Sequence, residues 1–265
     1  MSGRQITREI INEIEENGSK FTAPSHIASA FNTFFKEIPG KLKSQIIPTR
    51  RDFSHLLEAN PHSIFLSPIT PAEISNIVMS MKKSSNLDDI PTKLLSIIID
   101  DVRDILAGLL NECMLNSVYP EIFKTVTVVP LYKSGERTCM NNYRPISTIH
   151  RLGKIFDKAI CNRIYSFISK YKLINENQYG FMPKRSTAQA ALQLMDTVLP
   201  AVSDGKKVAT VMIDFSKAFD CVEPNMLLPK LLKYGIRGSA YDLLDSYFSN
   251  RKQKVRVGDF LSNEE

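Results

Sequence analysis

The stretch "VMIDFSKAFDCVEP", residues 211–224, follows an apolar run that ends abruptly on a carboxylate. Residues 208–213 are apolar and partly β-branched, so we expect a buried strand over 206–214. Asp214 ends it, and Asp220 follows shortly after. The spacing alone leaves two interpretations of Asp214 open. It is the N-cap of a helix in "FSKAFD", or it is a metal ligand at the end of a strand, where Mg²⁺ bridges a carboxylate to substrate phosphates.

The composition is that of a globular chain. Of 265 residues, 43% are hydrophobic and 23% are charged, which argues against disorder. No apolar run approaches the length of a membrane span, and "MSGRQITREI" does not resemble a secretory signal. The cysteines are too far apart for a zinc site or a disulfide framework, namely Cys113, Cys139, Cys161 and Cys221. We therefore expect an intracellular protein, with nucleus and cytoplasm left open.

The net charge of +6 is concentrated in one part of the chain. Residues 121–175 contain 10 Lys and Arg against 3 Asp and Glu. A local basic block of this kind is typical of a surface that follows a phosphate backbone, although a solvated basic face gives the same count.

Helical and strand patterns are mixed without regular alternation, which predicts an α+β fold. We expect a helical leader and linker over 1–61, with a helix near 8–17 and another from Pro24 that stops at Pro39. The remaining predicted helices and strands are a helix starting at Pro71, one or two helices in 91–120, an exposed or edge strand in 123–133, a helix over 150–172, another from Ser186, helices near 224–234 and 239–249, and a strand over 252–258.

Two further stretches carry candidate binding residues. "VPLYKSGERTCMNNYRPIS", 129–147, places Lys133 and Arg144 on a hairpin-like extension, where they are suited to clamp a triphosphate or are simply surface cations. "NENQYGFMPKRST", 175–187, is a polar loop suited to backbone contacts with a nucleic-acid strand. The common glycine-rich phosphate loops and the zinc-protease and serine-hydrolase motifs are missing.

Taken in order, these motifs resemble a known family. The series "VVPLYKSG", "NNYRPIS", "LGKIFDKAI", "NENQYGF", "KRST" and "VMIDFSKAFDCV" is similar to the reverse transcriptase of non-long-terminal-repeat, jockey-type retrotransposons. The resemblance covers 62–265, and 1–61 is similar to the segment that follows the endonuclease domain. It implies the fingers and part of the palm of a right-hand polymerase, with an incomplete palm sheet.

The resemblance also implies roles for individual residues. Asp214 would contact two Mg²⁺ ions, with the Phe215 carbonyl as a backbone ligand. Phe219 would block a ribose 2′-OH and so select deoxynucleotides. Lys133 and Arg144 would contact the incoming triphosphate.

The implied partners are an RNA template, a DNA primer and deoxynucleotides, with no membrane and no protein partner indicated. The resemblance implies that the loop at 175–187 positions template or primer. The helix at 150–172 is expected to carry Lys154, Lys158 and Arg163 on its exposed polar face. The expected nucleic-acid contacts are Lys154, Lys158, Arg163, Gln178, Gly180, Phe181, Lys184 and Arg185.

The chain also departs from the family pattern. Met182 stands where arginine usually follows Gly-Phe, and Leu87-Asp88-Asp89 replaces the usual glycine-containing stretch. No Y-x-D-D motif follows Asp214. These 265 residues therefore supply the first catalytic carboxylate motif, and we expect the polymerase domain to be truncated before the second. We expect a polymerase fragment with little or no activity alone. The alternatives are a non-catalytic RNA or RNA–DNA binding remnant that uses the 121–175 face, and a reading frame without selected function.

Overall fold

The computed structural model describes residues 11–16, 18–45, 58–82, 90–215, 217–219 and 221–265. Helices and strands are mixed, which confirms the predicted α+β class. The chain divides into two compact units. The first unit contains Met1–Arg163 and Phe219–Glu265, and the second contains Ile164–Ala218.

Helices account for most of the regular structure. They are α1 (Pro24–Gln45), α2 (Pro71–Ser80), α3 (Thr92–Leu115), α4 (Arg151–Lys170), α5 (Thr187–Ser203), α6 (Pro224–Tyr234) and α7 (Ser239–Phe248). The strands are β1 (Ile14–Glu16), β2 (Ser19–Phe21), β3 (Thr125–Tyr132), β4 (Tyr143–Thr148), β5 (Lys252–Val257) and β6 (Phe260–Leu261).

Local sequence signals explain the helix starts. Thr70 caps α2, because its side chain accepts a hydrogen bond from the Glu73 N–H at 3.1 Å, and Pro71 begins the helix as predicted. Ser186 and Gln189 form a full capping box at the start of α5.

The leader differs from the prediction in two places. Ile14–Glu16 is a strand, not part of a helix, and it pairs with β2 across Gly18, whose φ of 78° suits a tight turn. Ile14 is fully buried there. The second difference is that α1 continues through Pro39 to Gln45. Its apolar stripe extends past the proline to Leu42, which packs on the same core, and this packing outweighs the missing hydrogen bond.

The larger sheet has the strand order β4-β3-β5-β6. Strand β3 pairs antiparallel with β4 and parallel with β5, so the predicted edge strand is an interior one. Its proline is tolerated because the pairing with β5 stops at Val128, and Pro130 lies beyond it, opposite Pro145. Neither proline has an N–H to donate to the other strand.

Helix α1 covers one face of this sheet. Phe31 is fully buried and contacts Tyr143 edge-on, with ring centroids 5.0 Å apart. Val255 and Val257 of β5 are buried in the same core cluster. This packing fixes which face of β5 points inward.

A second buried cluster surrounds Tyr119. Its ring stacks on Phe156 at 5.5 Å and meets Tyr247 edge-on at 4.9 Å. Its hydroxyl donates to the Asp157 carboxylate at 2.7 Å, and Arg251 lies over the Tyr247 ring. The cluster therefore places a half-buried carboxylate of α4 against an aromatic core.

Burial raises the pKa of Asp157, and this effect exceeds the lowering by the Tyr119 hydrogen bond and the Arg251 charge. The folded chain therefore binds the Asp157 proton more tightly than the unfolded chain does. The contribution of Asp157 to folding falls as pH rises above about 4, the ordinary pKa of an aspartate. Asp157→Asn keeps an acceptor for the Tyr119 hydroxyl but has no carboxyl group to titrate. We therefore expect the free energy of unfolding of Asp157→Asn, minus that of wild type, to be larger at neutral pH than at pH 4.

Urea unfolding at the two pH values measures this difference. Asp101→Asn, the same substitution at an exposed position, serves as the control. An identical difference between wild type and Asp157→Asn at both pH values would show that the carboxylate does not titrate abnormally.

Candidate functional site

The β3–β4 hairpin brings together the two predicted triphosphate cations. The Lys133 N–H donates to the Asn142 carbonyl at 2.8 Å, and Arg144 on β4 lies opposite Leu131. Side chains alternate between the faces of paired strands, so Leu131, Lys133 and Arg144 share one face. Both cations are exposed. The hairpin therefore presents two cations on one side.

Side-chain hydrogen bonds hold the connecting loop of this hairpin. The Tyr132 hydroxyl donates to the Gly135 carbonyl, and the Asn142 amide donates to the Glu136 carbonyl at 2.8 Å. Gly135 has φ 95°, and a Cβ there would lie 2.7 Å from the Asn142 side-chain nitrogen. Glycine is thus required by backbone conformation and by space. The sequence indicated only that the turn contains a glycine.

The basic helix α4 is less exposed than predicted. Lys158 is exposed and Lys154 is half-buried, whereas Arg163 is buried at 9% exposure. Arg163 donates to both carboxylate oxygens of Glu73, each at 3.0 Å. It also donates to the carbonyls of Ser67, Pro68 and Ala159.

The expectation that Arg163 lies on the exposed polar face is therefore wrong. Burial of the guanidinium is compensated because a carboxylate and three carbonyls accept its hydrogen bonds. Burial alone would raise the pKa of Glu73, but the hydrogen bonds and charge of Arg163 outweigh it and lower that pKa. Arg163 fastens α4 to the segment before α2.

In the second unit, the loop before α5 is organised by its own side chains. Arg185 donates to the Gln178 carbonyl at 2.9 Å and to the Glu176 carbonyl, and its guanidinium lies 5.3 Å from the Tyr179 ring centre. The Gln178 amide donates to the Gly180 carbonyl at 3.0 Å. Four of the predicted contact residues, Gln178, Gly180, Phe181 and Lys184, thus lie on a loop that Arg185 holds together.

Phe181 and Lys184 are the outward-facing members of this loop. Phe181 is 90% exposed, and Lys184 is exposed as well. Both have left-handed backbone, with φ values of 60° and 62°. An exposed ring and a nearby cation are the groups that a single nucleic-acid strand uses for stacking and phosphate contact.

The segment that leads to Asp214 is not the predicted strand. Residues 206–215 form no strand, and Val211, Met212 and Ile213 are all strongly exposed. A strand requires a hydrogen-bonded neighbour, and none of the described strands pairs with this segment. The predicted buried strand over 206–214 is therefore wrong for this structure.

Asp214 and Phe215 are exposed at the end of this segment. The helix-cap interpretation of Asp214 receives no support, because the next described helix is α6 and its N-cap is Glu223. Phe219 is 74% exposed. Asp220 lies outside the described residues.

The described residues do not complete a two-metal site. Within the described ranges, no group of three or more His, Cys, Asp or Glu side chains is placed to hold a metal ion. Two Mg²⁺ ions about 3.5–4 Å apart need more ligands than Asp214 alone supplies. No helix in the described part of the chain is long and apolar enough to cross a membrane.

Comparison with known proteins gives a consistent match. Residues 131–262 match the model of the reverse transcriptase (RNA-dependent DNA polymerase) family. The chain is 29% identical over 203 residues to the probable RNA-directed DNA polymerase from transposon BS of Drosophila melanogaster, and these cover 74% of this chain and 22% of that protein.

Two further Drosophila melanogaster proteins are similar. The RNA-directed DNA polymerase from mobile element jockey is 25% identical over 204 residues, or 76% of this chain and 22% of that protein. The probable polymerase from transposon X-element is 24% identical over 246 residues, or 91% and 26%. The chain thus spans about a quarter or less of the length of these relatives.

Proposed function

Because residues 131–262 of this chain belong to the reverse transcriptase family, we propose that the chain is part of an RNA-directed DNA polymerase of a non-LTR retrotransposon. Residues 62–265 correspond in this proposal to the fingers and the first part of the palm, and 1–61 to a leader. The single observation that carries the proposal is the β3–β4 hairpin, which presents Lys133 and Arg144 on one face. Residues 131–148 of this hairpin lie within the matched region.

The proposed substrate at this hairpin is a deoxynucleoside triphosphate. Arg144 offers a planar fork for two phosphate oxygens, and Lys133 offers a compact charge beside it. The hydrogen-bonded loop keeps both backbones in place, which lowers the entropy lost when the anion binds. We assign Phe219, by its place in the family pattern, to the selection of deoxyribose.

We place Asp214 and the Phe215 carbonyl as the contribution of this chain to the catalytic metal site. The order of motifs supports this assignment, and the exposed carboxylate of Asp214 is accessible to a cation. In such enzymes divalent metal ions stabilise the charge that develops on the transferred phosphoryl group. Asp214 binds one side of this site in the proposal, and no step is assigned beyond that.

The proposed nucleic-acid contacts are in α4 and in the loop before α5. Lys154 and Lys158 of α4 remain candidates because they are not buried. In the loop before α5, the candidates are Gln178, Gly180, Phe181 and Lys184. Arg163 is not among the candidates, because its guanidinium is hydrogen-bonded to Glu73 and to three carbonyls. Arg185 contributes by holding the loop together.

A primer-extension assay tests the proposed division of the active site. A polypeptide of these 265 residues, given Mg²⁺, deoxynucleotides and a primed RNA template, is expected to add no nucleotides, because the sequence contains no Y-x-D-D motif. Template-dependent synthesis that disappears in Asp214→Asn would show instead that the chain contains a complete active site.

A further inference from the structure

Strand β5 carries a row of cations that the family pattern does not explain. Its residues alternate between buried Val255 and Val257 and the cations Lys252, Lys254 and Arg256. Because the valines pack against the α1 side, the three cations lie on the opposite face of the sheet.

The strand register makes this face continuous with the hairpin. Thr127 of β3 pairs with Lys254 on one side and with Thr148 on the other, and Thr125 pairs with Lys252. Paired residues share a face, so the cations of β5 lie on the same side as those of the hairpin. We call this side the basic sheet face, and its cations are Lys133, Arg144, Lys252, Lys254 and Arg256.

One anion of the chain already lies on this face. The carboxylate of Glu264 is 2.9 Å from the Lys254 amine and 3.4 Å from the Lys252 amine. Backbone hydrogen bonds place it there, since the Gln253 N–H donates to the Glu265 carbonyl at 2.9 Å and the reverse bond is 3.0 Å. The hydrogen bond and charge of Lys254 lower the pKa of Glu264, so this carboxylate stays ionised.

We propose that the β5 cations of the basic sheet face, Lys252, Lys254 and Arg256, bind the phosphate backbone of a single RNA strand, and that Glu264 competes with the RNA for Lys252 and Lys254. This inference rests on the proposed function and adds contacts that it does not include. Binding of the strand displaces the Glu264 carboxylate from the two amines, and release of the strand lets it return.

The spacing of the β5 cations suits the phosphate backbone of a nucleic-acid strand. Alternate residues of a strand are about 6.6 Å apart, close to the separation of successive phosphates in an extended nucleic acid. Two neighbouring residues on this face, Thr125 and Thr127, have hydroxyls that can donate to phosphate oxygens, whereas the Thr148 hydroxyl donates to the Thr127 carbonyl at 2.7 Å.

The test is fluorescence anisotropy of the full chain with a labelled single-stranded RNA oligonucleotide at about 50 to 200 mM salt. In Lys252→Gln/Lys254→Gln, we expect the slope of log affinity against log salt to become shallower by about 2, one for each lost phosphate contact. In Glu264→Gln, we expect about threefold tighter binding, the size of one exposed ion pair.

Helix α1 provides matched controls, because Lys41 and Glu37 form an exposed ion pair of 2.7 Å there. Lys41→Gln/Lys43→Gln and Glu37→Gln make the same charge changes away from the basic sheet face. If wild type binds no RNA, this inference and the proposed function are both overturned.

If wild type binds RNA and Lys252→Gln/Lys254→Gln matches Lys41→Gln/Lys43→Gln, the inference alone is overturned. If Glu264→Gln binds no more tightly than Glu37→Gln, competition by Glu264 is disproved. Glu264→Gln keeps the shape of the side chain, so it tests competition by Glu264 even if the double lysine variant does not fold.

Discussion

Replacing Arg163 with methionine is expected to lower the free energy of unfolding by about 3–5 kcal/mol. The guanidinium is buried and donates to both oxygens of Glu73 and to carbonyls of Ser67 and Pro68. Its removal leaves a partly buried carboxylate and those carbonyls without their donor. Urea unfolding followed by circular dichroism measures the loss.

The matched control is Lys158→Met, which changes the same charge at an exposed position of α4 and is expected to alter stability by no more than about 0.5 kcal/mol. Adding Glu73→Leu to Arg163→Met should recover part of the loss, because no unpaired carboxylate remains. A decrease in the free energy of unfolding of less than about 1 kcal/mol for Arg163→Met would mean that the Arg163–Glu73 ion pair does not hold α4 in place.

Replacing Tyr119 with alanine is expected to cost about 3–5 kcal/mol, the usual range for a buried aromatic side chain. Tyr119 is fully buried, and its ring contacts the rings of Phe156 and Tyr247. The Tyr119 backbone N–H also donates to the Ser246 hydroxyl oxygen at 2.9 Å, which links this core to α7. Chemical unfolding measures the effect.

Tyr119→Phe separates the ring from the hydroxyl. It keeps the packing but removes the donor to Asp157, so we expect a loss of about 1–3 kcal/mol. Phe65→Ala is the control, because Phe65 is 79% exposed and its removal creates no cavity. Equal stability of Tyr119→Ala and Phe65→Ala would contradict the assignment of Tyr119 to a core.

Much of the fold was predictable because its signals are local. Helices α2, α4, α6 and α7 lie within one or two residues of the predicted positions, since caps, prolines and apolar stripes mark them. The hairpin with Lys133 and Arg144 was equally visible, as two strands around a glycine-containing turn.

The remainder depends on contacts between distant residues. Arg163 seemed exposed because the partners that bury it lie about 90 positions earlier in the chain. The apolar run before Asp214 fits a strand by composition, but a strand also needs a neighbour, which composition does not supply. In the same way, packing on the core carries α1 across Pro39.

The cations of β5 were missed for a different reason. Residues 176–265 contain 12 Lys and Arg against 11 Asp and Glu, so the charge count averages to almost nothing. The alternation in "KQKVRVG" was visible, but only the sheet register shows that its cations share a face with the hairpin. A net charge counted over a whole segment does not show cations that strand alternation places on one face.

The most direct test of the central claim is a titration of the chain with a deoxynucleoside triphosphate and Mg²⁺, read by calorimetry. Wild type is expected to bind, and Lys133→Gln/Arg144→Gln to bind about 100-fold more weakly, about tenfold for each lost charged hydrogen bond. Lys41→Gln, on α1, should match wild type. Equal affinities for the double variant and Lys41→Gln would contradict a nucleotide site on the hairpin.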